Sequence, residues 1–196
     1  MIITFDFLLR VFTLLLFVLW VLYWQITEKE ADRSKPKREE KFIMRQQVRR
    51  WILRIAEGTM LLQVIGLQFL PFSTYLFLVQ VLGFIFVLIG VIIAVSARKT
   101  LGVNWAHAYQ YQIKKEQELV TTGVYSLIRH PIYSGLCLAY IGGELVAQSY
   151  LVLIGILFLM GGYWQARQEE AILIEHFGKD YTNYLKRTKM FIPYLW

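Results

Sequence analysis

Arg129, His130 and Pro131 stand together just before an apolar stretch, and Glu169 and Glu170 stand together at the far end of the next one. An imidazole within reach of carboxylates can hold or move a proton, and a guanidinium beside a helix start can hold an anion. Pro131 suits the first turn of a helix, where its missing N–H has no partner to lose. The exposed amides and positive dipole end of that helix, with Arg129 and His130, make a place for a carboxylate or phosphate. Neighbouring helical residues diverge by about 100°, so Glu169 and Glu170 are expected to do different jobs.

The elements that must bring these groups together are membrane spans. The chain has 196 residues, 57% of them hydrophobic, well above the usual globular share. Apolar stretches long enough to cross about 30 Å of hydrocarbon place five spans near Phe5 to Ile26, Ile52 to Leu70, Tyr75 to Ala97, Ile132 to Gln148 and Leu151 to Gln165. The first is read as a retained anchor, because it opens on Asp6 and closes on Trp20, Tyr23 and Trp24 without a small-residue cleavage site. Pro71, Ser73 and Thr74 predict a tight turn that makes spans two and three an antiparallel hairpin. Spans four and five form a second hairpin. Roughly sixteen residues out and a similar number back, at about 1.5 Å each, return the chain to its starting depth, so Arg129-His130-Pro131 and Glu169-Glu170 should meet on one face.

Basic residues set the orientation. They fill the connections from Lys29 to Arg54 and from Arg98 to Arg129 and follow span five from Arg167 to Lys189, while Pro71 to Thr74 and Ala147 to Tyr150 carry none. Retention of Lys and Arg on the cytoplasmic side then puts the N-terminus outside and the C-terminus inside, with Arg10 as the exception. The net charge of +7 is accounted for by this topology and by anionic headgroups, not by nucleic acid. The expectation is an all-α integral membrane protein of about five transmembrane helices, with a cytoplasmic-face cofactor pocket formed by the C-terminal half. Its parts are residues 1–51, the first span and a basic linker; 52–97, a transmembrane hairpin; and 98–196, the catalytic region with the second hairpin and a C-terminal cytoplasmic helix. Phe42 to Ile55 has helical apolar spacing and predicts an interfacial helix.

Several residues are expected to be structural. Cys137 is the one cysteine and reads as a small packing residue within span four. His107 and His176 lack metal-ligand spacing, so no metal is expected. Glu144, after Gly142-Gly143, is either a functional intramembrane acid or a hydrated group near the outer boundary. Tyr181, Tyr184 and Arg187 share a helical face beyond Gly178, which predicts a C-terminal helix packed on the loop or closing over it.

An anion-binding helix start, carboxylates, and Trp105, Tyr109, Tyr125, Tyr133 and Trp164 together suit a zwitterionic ligand that also carries a cation. S-adenosylmethionine is one such ligand, although composition does not single it out. The run Thr122-Gly123-Val124-Tyr125-Ser126-Leu127-Ile128-Arg129-His130-Pro131-Ile132-Tyr133-Ser134-Gly135, followed by Glu169-Glu170 and by Phe177-Gly178-Lys179-Asp180-Tyr181 with Tyr184, resembles the isoprenylcysteine carboxyl methyltransferases and related membrane methyltransferases. The resemblance covers roughly the C-terminal half, including Leu101 to Trp105, and rests on several motifs in order.

The resemblance implies methyl transfer from S-adenosylmethionine to a lipid-borne acceptor, best the C-terminal carboxylate of an isoprenylcysteine. It implies cofactor contacts at Gln110, Gln117, Glu118, Leu119, Val120, Tyr125, His130, Pro131, Ile132, Tyr133 and Glu169, and places Arg129, His130, Glu170 and Arg167 at the reacting groups. The family's prenylcysteine enzymes carry an arginine four residues before the first glutamate, thought to hold the acceptor carboxylate. That position is Gln165 here, leaving Arg167 as the candidate replacement. A phospholipid amine or a small thiol is the alternative acceptor, and a membrane transporter or assembly factor the non-enzymatic reading. The expected partners are the bilayer and a lipid-like or prenylated substrate within it. The expected location is a prokaryotic plasma membrane, with endoplasmic reticulum as the alternative.

Overall fold

The computed structural model describes residues 2–32, 40–104 and 118–195; the side chains of 2–4, 28–32, 40–46, 49, 50 and 103 are also outside what is described. Among the described residues six α-helices carry the fold: α1 (Ile2–Asp32), α2 (Glu40–Ile65), α3 (Phe77–Leu101), α4 (Pro131–Ala147), α5 (Ile154–Phe177) and α6 (Lys179–Arg187). Short 3-10 turns occupy Gly102–Asn104, Gly123–Ser126 and Tyr150–Leu153. Among the described residues the only β pairing is two isolated bridges, so the all-helical expectation holds.

The protein is an integral membrane protein. Among the described residues three segments are long and apolar enough to cross a bilayer: Phe5–Thr27, Phe77–Leu101 and Tyr150–Phe177. The 17-residue α4 is apolar but shorter, and α2 carries too many polar groups to match them. All five expected spans are therefore helices, of which three meet the length and composition of a crossing segment.

Two boundaries differ from the sequence reading. The predicted interfacial helix and second span are one continuous helix, α2, because nothing between Phe42 and Ile65 breaks a helix. That helix ends at Ile65, five residues before the predicted end, and Gly66 stops it. Gly66 takes φ 118°, a left-handed value open to glycine; its amide bonds Gln63 O at 2.9 Å, and the Leu67 amide bonds Leu62 O at 3.0 Å. These two bonds are the terminating pattern that satisfies a helix's last carbonyls.

The chain divides into two compact units, residues 1–88 with 139–153 and residues 89–138 with 154–196. In the first, α1, α2, the start of α3 and the end of α4 enclose a line of polar side chains. Asp6 accepts from Arg10 Nε at 2.9 Å and from Gln80 Nε2 at 2.5 Å, and Gln63 donates to Glu144 Oε2 at 2.8 Å. Gln63, Gln80 and Glu144 are wholly buried. Glu144 is thus an interior group bound to a neighbouring helix. Gln148 reads the backbone of Leu76 at both ends, accepting from its amide at 2.9 Å and donating to its carbonyl at 3.1 Å. The expected tight turn is a longer connection pinned by these bonds. Gly83 and Gly142 let α3 and α4 touch backbone to backbone: a Cβ on Gly142 would stand 2.5 Å from Gly83 O.

In the second unit α3 and α4 again cross closely, with Gly135 against Gly90 and Ala94. Cys137 is buried, its Sγ donating to Gly155 O at 3.5 Å, as a packing residue would be. Helix α6 is amphipathic, with Tyr181 and Tyr184 buried edge to face and Lys179, Asp180, Asn183, Lys186 and Arg187 exposed. The Tyr184 hydroxyl donates to Tyr125 O at 2.7 Å, which holds α6 on the turn before α4.

Candidate active site

The site is built where α4 begins and α5 ends, inside the second unit. Residues Leu127 to His130 lie beside Lys189 and Met190 in a short parallel pairing: the Arg129 amide donates to Lys189 O at 2.9 Å and the His130 amide to Met190 O at 3.1 Å. Ser134 Oγ continues the attachment with a 2.8 Å bond to Phe191 O. The extended residues 188–191 therefore satisfy backbone donors that the start of α4 cannot satisfy within the helix. This narrows the expected anion site. The amides of Arg129 and His130 are already spoken for, and the donors left in the first turn of α4 belong to Ile132 and Tyr133.

Arg129 is equally committed. Its Nε donates to Glu170 Oε1 at 2.6 Å and its Nη1 to Thr188 O at 2.5 Å, with the Arg129 side chain 11% and the Glu170 side chain 4% exposed. A buried pair of this kind is stable only when both partners remain, because each charge offsets the other's desolvation. The guanidinium thereby ties the start of α4 to α5 and the end of α6, and these two bonds use two of its five N–H donors.

His130 is buried between the two glutamates. Nε2 lies 3.3 Å from Glu170 Oε1 and Nδ1 lies 3.6 Å from Glu169 Oε2. The ring stacks on Tyr133 with centroids 5.7 Å apart at 15°, and Phe191 lies 6.0 Å away on a tilted plane. The glutamates differ as their helical divergence predicts. Glu170 is sealed against Arg129 and His130, whereas Glu169 is 23% exposed, with Oε1 accepting from the Tyr133 hydroxyl at 2.5 Å and from Gln165 Nε2 at 3.2 Å. Glu169 is the more exposed of the two carboxylates.

Tyr125, Tyr181 and Tyr184 surround this cluster, and burial pushes the phenol of each far above its ordinary range. The neighbouring Glu169 and Tyr184 add to the effect at Tyr125, and Glu170 adds to it at Tyr181 and Tyr184, while Arg98 opposes it at Tyr125 and Arg129 at the other two. All three remain neutral donors at physiological pH.

Comparison with known proteins decides the family. The sequence profile described as Phospholipid methyltransferase matches residues 78–180, more than half of the chain. The chain belongs to this family. It is similar to the protein-S-isoprenylcysteine O-methyltransferase of Xenopus laevis, with 34% identity covering 59% of this chain and 41% of that one. It is also similar to the enzyme of that name from Saccharomyces cerevisiae, with 31% identity covering 66% of this chain and 55% of that one. The chain spans about half the length of these curated relatives. Among solved structures, a eukaryotic intramembrane Ras methyltransferase, isoprenylcysteine carboxyl methyltransferase, aligns with a TM-score of 0.56 at 22% identity, covering 81% of this chain and 55% of that one. At that identity the likeness establishes a shared fold. The resemblance read from the Arg129-His130-Pro131 and Glu169-Glu170 motifs therefore identifies the right family of membrane methyltransferases.

Within the family's motifs, Arg129, His130, Tyr133, Glu169 and Glu170 come together, Pro131 and Ile132 open the helix beside them, and Tyr125 joins through Tyr184. Arg167 does not join them: it is exposed, and the buried residue beside Glu169 is Gln165. Trp164, expected in the aromatic supply, is 65% exposed. Glu118, Leu119 and Val120 lead into the turn; the Glu118 amide donates to Asn104 Oδ1 at 3.1 Å, and Leu119 and Thr121 line an open groove with Asp180, Asn183, Lys186 and Arg187. Gln110 and Gln117, with Trp105, His107 and Tyr109, lie outside the described residues. Sequence reasoning missed Thr188 to Phe191, whose backbone carbonyls hold Arg129, His130 and Ser134. It also missed the Gln165 to Glu169 bond, although their i, i+4 spacing puts both on one helical face.

Proposed function

We propose that this chain is a membrane-embedded methyltransferase that moves a methyl group from S-adenosylmethionine to a lipid-borne acceptor at the cytoplasmic leaflet. The observation that carries this reading is the unequal treatment of the paired glutamates: Glu170 is sealed by Arg129 and His130, and Glu169 is partly open, held in place by Tyr133 and Gln165. The donor set fits the cofactor. A fixed carboxylate beside the aromatic Tyr133 suits an ammonium and a sulfonium, and the Ile132 and Tyr133 amides suit a carboxylate. When bound, the cofactor supplies an electrophilic methyl on a positively charged sulfur.

The chain's own residues then have separable tasks. Glu169 holds the cation, with Tyr133 and Gln165 fixing its rotamer. Arg129 and Glu170 lock the end of α5 to the start of α4, so that the pocket is organised before the ligand arrives and the acceptor is positioned without reordering. A carboxylate acceptor needs no base. An amine or thiol acceptor must lose a proton, and His130, between two carboxylates, is the group to receive it.

The favoured acceptor is an isoprenylcysteine carboxylate, in keeping with the named activity of the curated relatives. A phospholipid amine is the second reading, favoured by the buried neutral Gln165 beside Glu169 and by the exposure of Arg167. Basic connections on one face support a cytoplasmic site. The relatives compared come from eukaryotes, which lends no support to a prokaryotic plasma membrane.

The test is product analysis with methyl-labelled S-adenosylmethionine and purified protein in lipid nanodiscs, offered prenylcysteines, amino-lipids and thiols. Saturable label transfer to one class, lost in Glu169→Gln and in His130→Ala with folding retained, supports the assignment. Absence of cofactor binding, with partner assembly intact, would leave the transporter or assembly-factor reading in its place.

A further inference from the structure

The end of α6 and the segment after it have two sides. Thr188, Met190 and Phe191 are buried and fastened to the start of α4, while Lys186, Arg187 and Lys189 are exposed, and Ile192, Tyr194 and Leu195 are 46%, 86% and 78% exposed. Large apolar side chains at such exposure at the tip of a fixed segment need a cover. The tip is itself held in shape: the Leu195 amide donates to Ile192 O at 3.3 Å, and Tyr194 takes φ 66°, a left-handed conformation rarely adopted by a residue with a bulky side chain. Strain of that kind persists where it presents side chains that are used.

We propose that residues 186–195 dock onto the anionic surface of the bilayer that holds the protein. Lys186, Arg187 and Lys189 meet the lipid headgroups, and Ile192, Tyr194 and Leu195 enter the interface. The charge argument selects the partner. Three cations flank an apolar, tyrosine-bearing turn, the composition by which peripheral segments bind acidic leaflets, where a tyrosine ring sits at headgroup depth. The segment also follows the last apolar span, on the face to which the basic connections assign the cytoplasmic leaflet. Because Lys189 O and Met190 O hold the amides of Arg129 and His130, a docked tip steadies the start of α4 from outside the helix.

The test follows the tip directly and is independent of catalysis. Leu195→Cys in a Cys137→Ala background is labelled with bimane and placed in nanodiscs of phosphatidylcholine, alone or mixed with phosphatidylserine, each with and without doxyl-labelled lipid. Quenching by the doxyl lipid should be strong with phosphatidylserine and weak without it. Each of Lys186→Gln, Arg187→Gln and Lys189→Gln should weaken docking about fivefold, the equivalent of one surface cation, and high salt should do the same. These three side chains are exposed, so the variants should fold. A label equally unquenched in both lipids, quenching indifferent to the three glutamines, or a label shielded only when a disc holds two copies would overturn the proposal, the last in favour of a contact between chains.

Discussion

Arg129 Nε and Glu170 Oε1 are 2.6 Å apart although two apolar helices separate them in sequence. The chain leaves the site through α4 and returns to it through α5, and this ion pair closes the circuit. Removing one partner strands the other in a buried place. Glu170→Gln and Arg129→Met should each lower stability by about 3–5 kcal/mol, and the double replacement should cost less than the sum. Thermal unfolding in detergent with a double-mutant cycle measures this; additive losses would show that the pair is not coupled.

Glu169 should behave differently. Glu169→Gln and Tyr133→Phe should leave unfolding within about 1 kcal/mol of the parent. Cofactor binding, read by calorimetry, should weaken about tenfold or more, as expected for loss of a hydrogen bond involving a charged group. Equal effects on stability and binding would assign Glu169 a structural role.

Gln165 reports on the acceptor. Gln165→Arg puts a cation beside the open carboxylate. If the native acceptor is an amine, methyl transfer to it should fall about tenfold by like-charge repulsion, while a prenylcysteine carboxylate should become a better substrate. Competition between the two acceptors in one assay gives the ratio, and an unchanged ratio would exclude this position from acceptor choice.

In the first unit, Gln63→Leu removes the donor to a wholly buried Glu144 carboxylate oxygen. It should cost about 1–3 kcal/mol. Adding Glu144→Leu should recover part of that loss, because the stranded carboxylate is then gone, while the Phe69 amide and the Tyr140 hydroxyl still lose an acceptor and keep the recovery incomplete. Chemical denaturation of the two variants tests the order, and a Glu144→Leu addition that worsens the loss would show a further role for the acid.

The second unit should weaken in alkali. Burial raises the phenols of Tyr125, Tyr181 and Tyr184, so the unfolded chain releases these protons first as pH rises. Their contribution is complete below pH about 10, the free phenol value, and declines above it. Tyrosinate absorbance should therefore rise together with loss of tertiary structure. Ionisation of all twelve tyrosines without unfolding would contradict the burial.

How far the sequence could be read depended on whether a feature lives in side-chain type or in backbone pairing. The helices in the five expected stretches and the meeting of His130 with Glu169 and Glu170 were legible, since hydropathy sets helix lengths and two antiparallel helices fix where their ends fall. The end of α2 was misplaced because hydropathy runs smoothly through Gly66, and only the positive φ stops the helix. The partners of Arg129 were hidden because a motif shows that a cation is present, not that Glu170 and the Thr188 carbonyl take two of its donors. Thr188 to Phe191 were opaque for a related reason: their carbonyls contribute, and a carbonyl is the same in every residue.

That last attachment has a consequence for biosynthesis. The amides of Arg129 and His130 find their partners in residues 189 and 190, which are translated only after α4, α5 and α6. During synthesis α4 and α5, which carry Pro131, Glu169 and Glu170, are made before the carbonyls that hold Arg129 and His130. A nascent chain arrested before residue 188 should thus hold both glutamates and the histidine yet remain unable to organise them. Competence would arrive late and in one step, when the segment 188–191 clears the ribosome and seats itself.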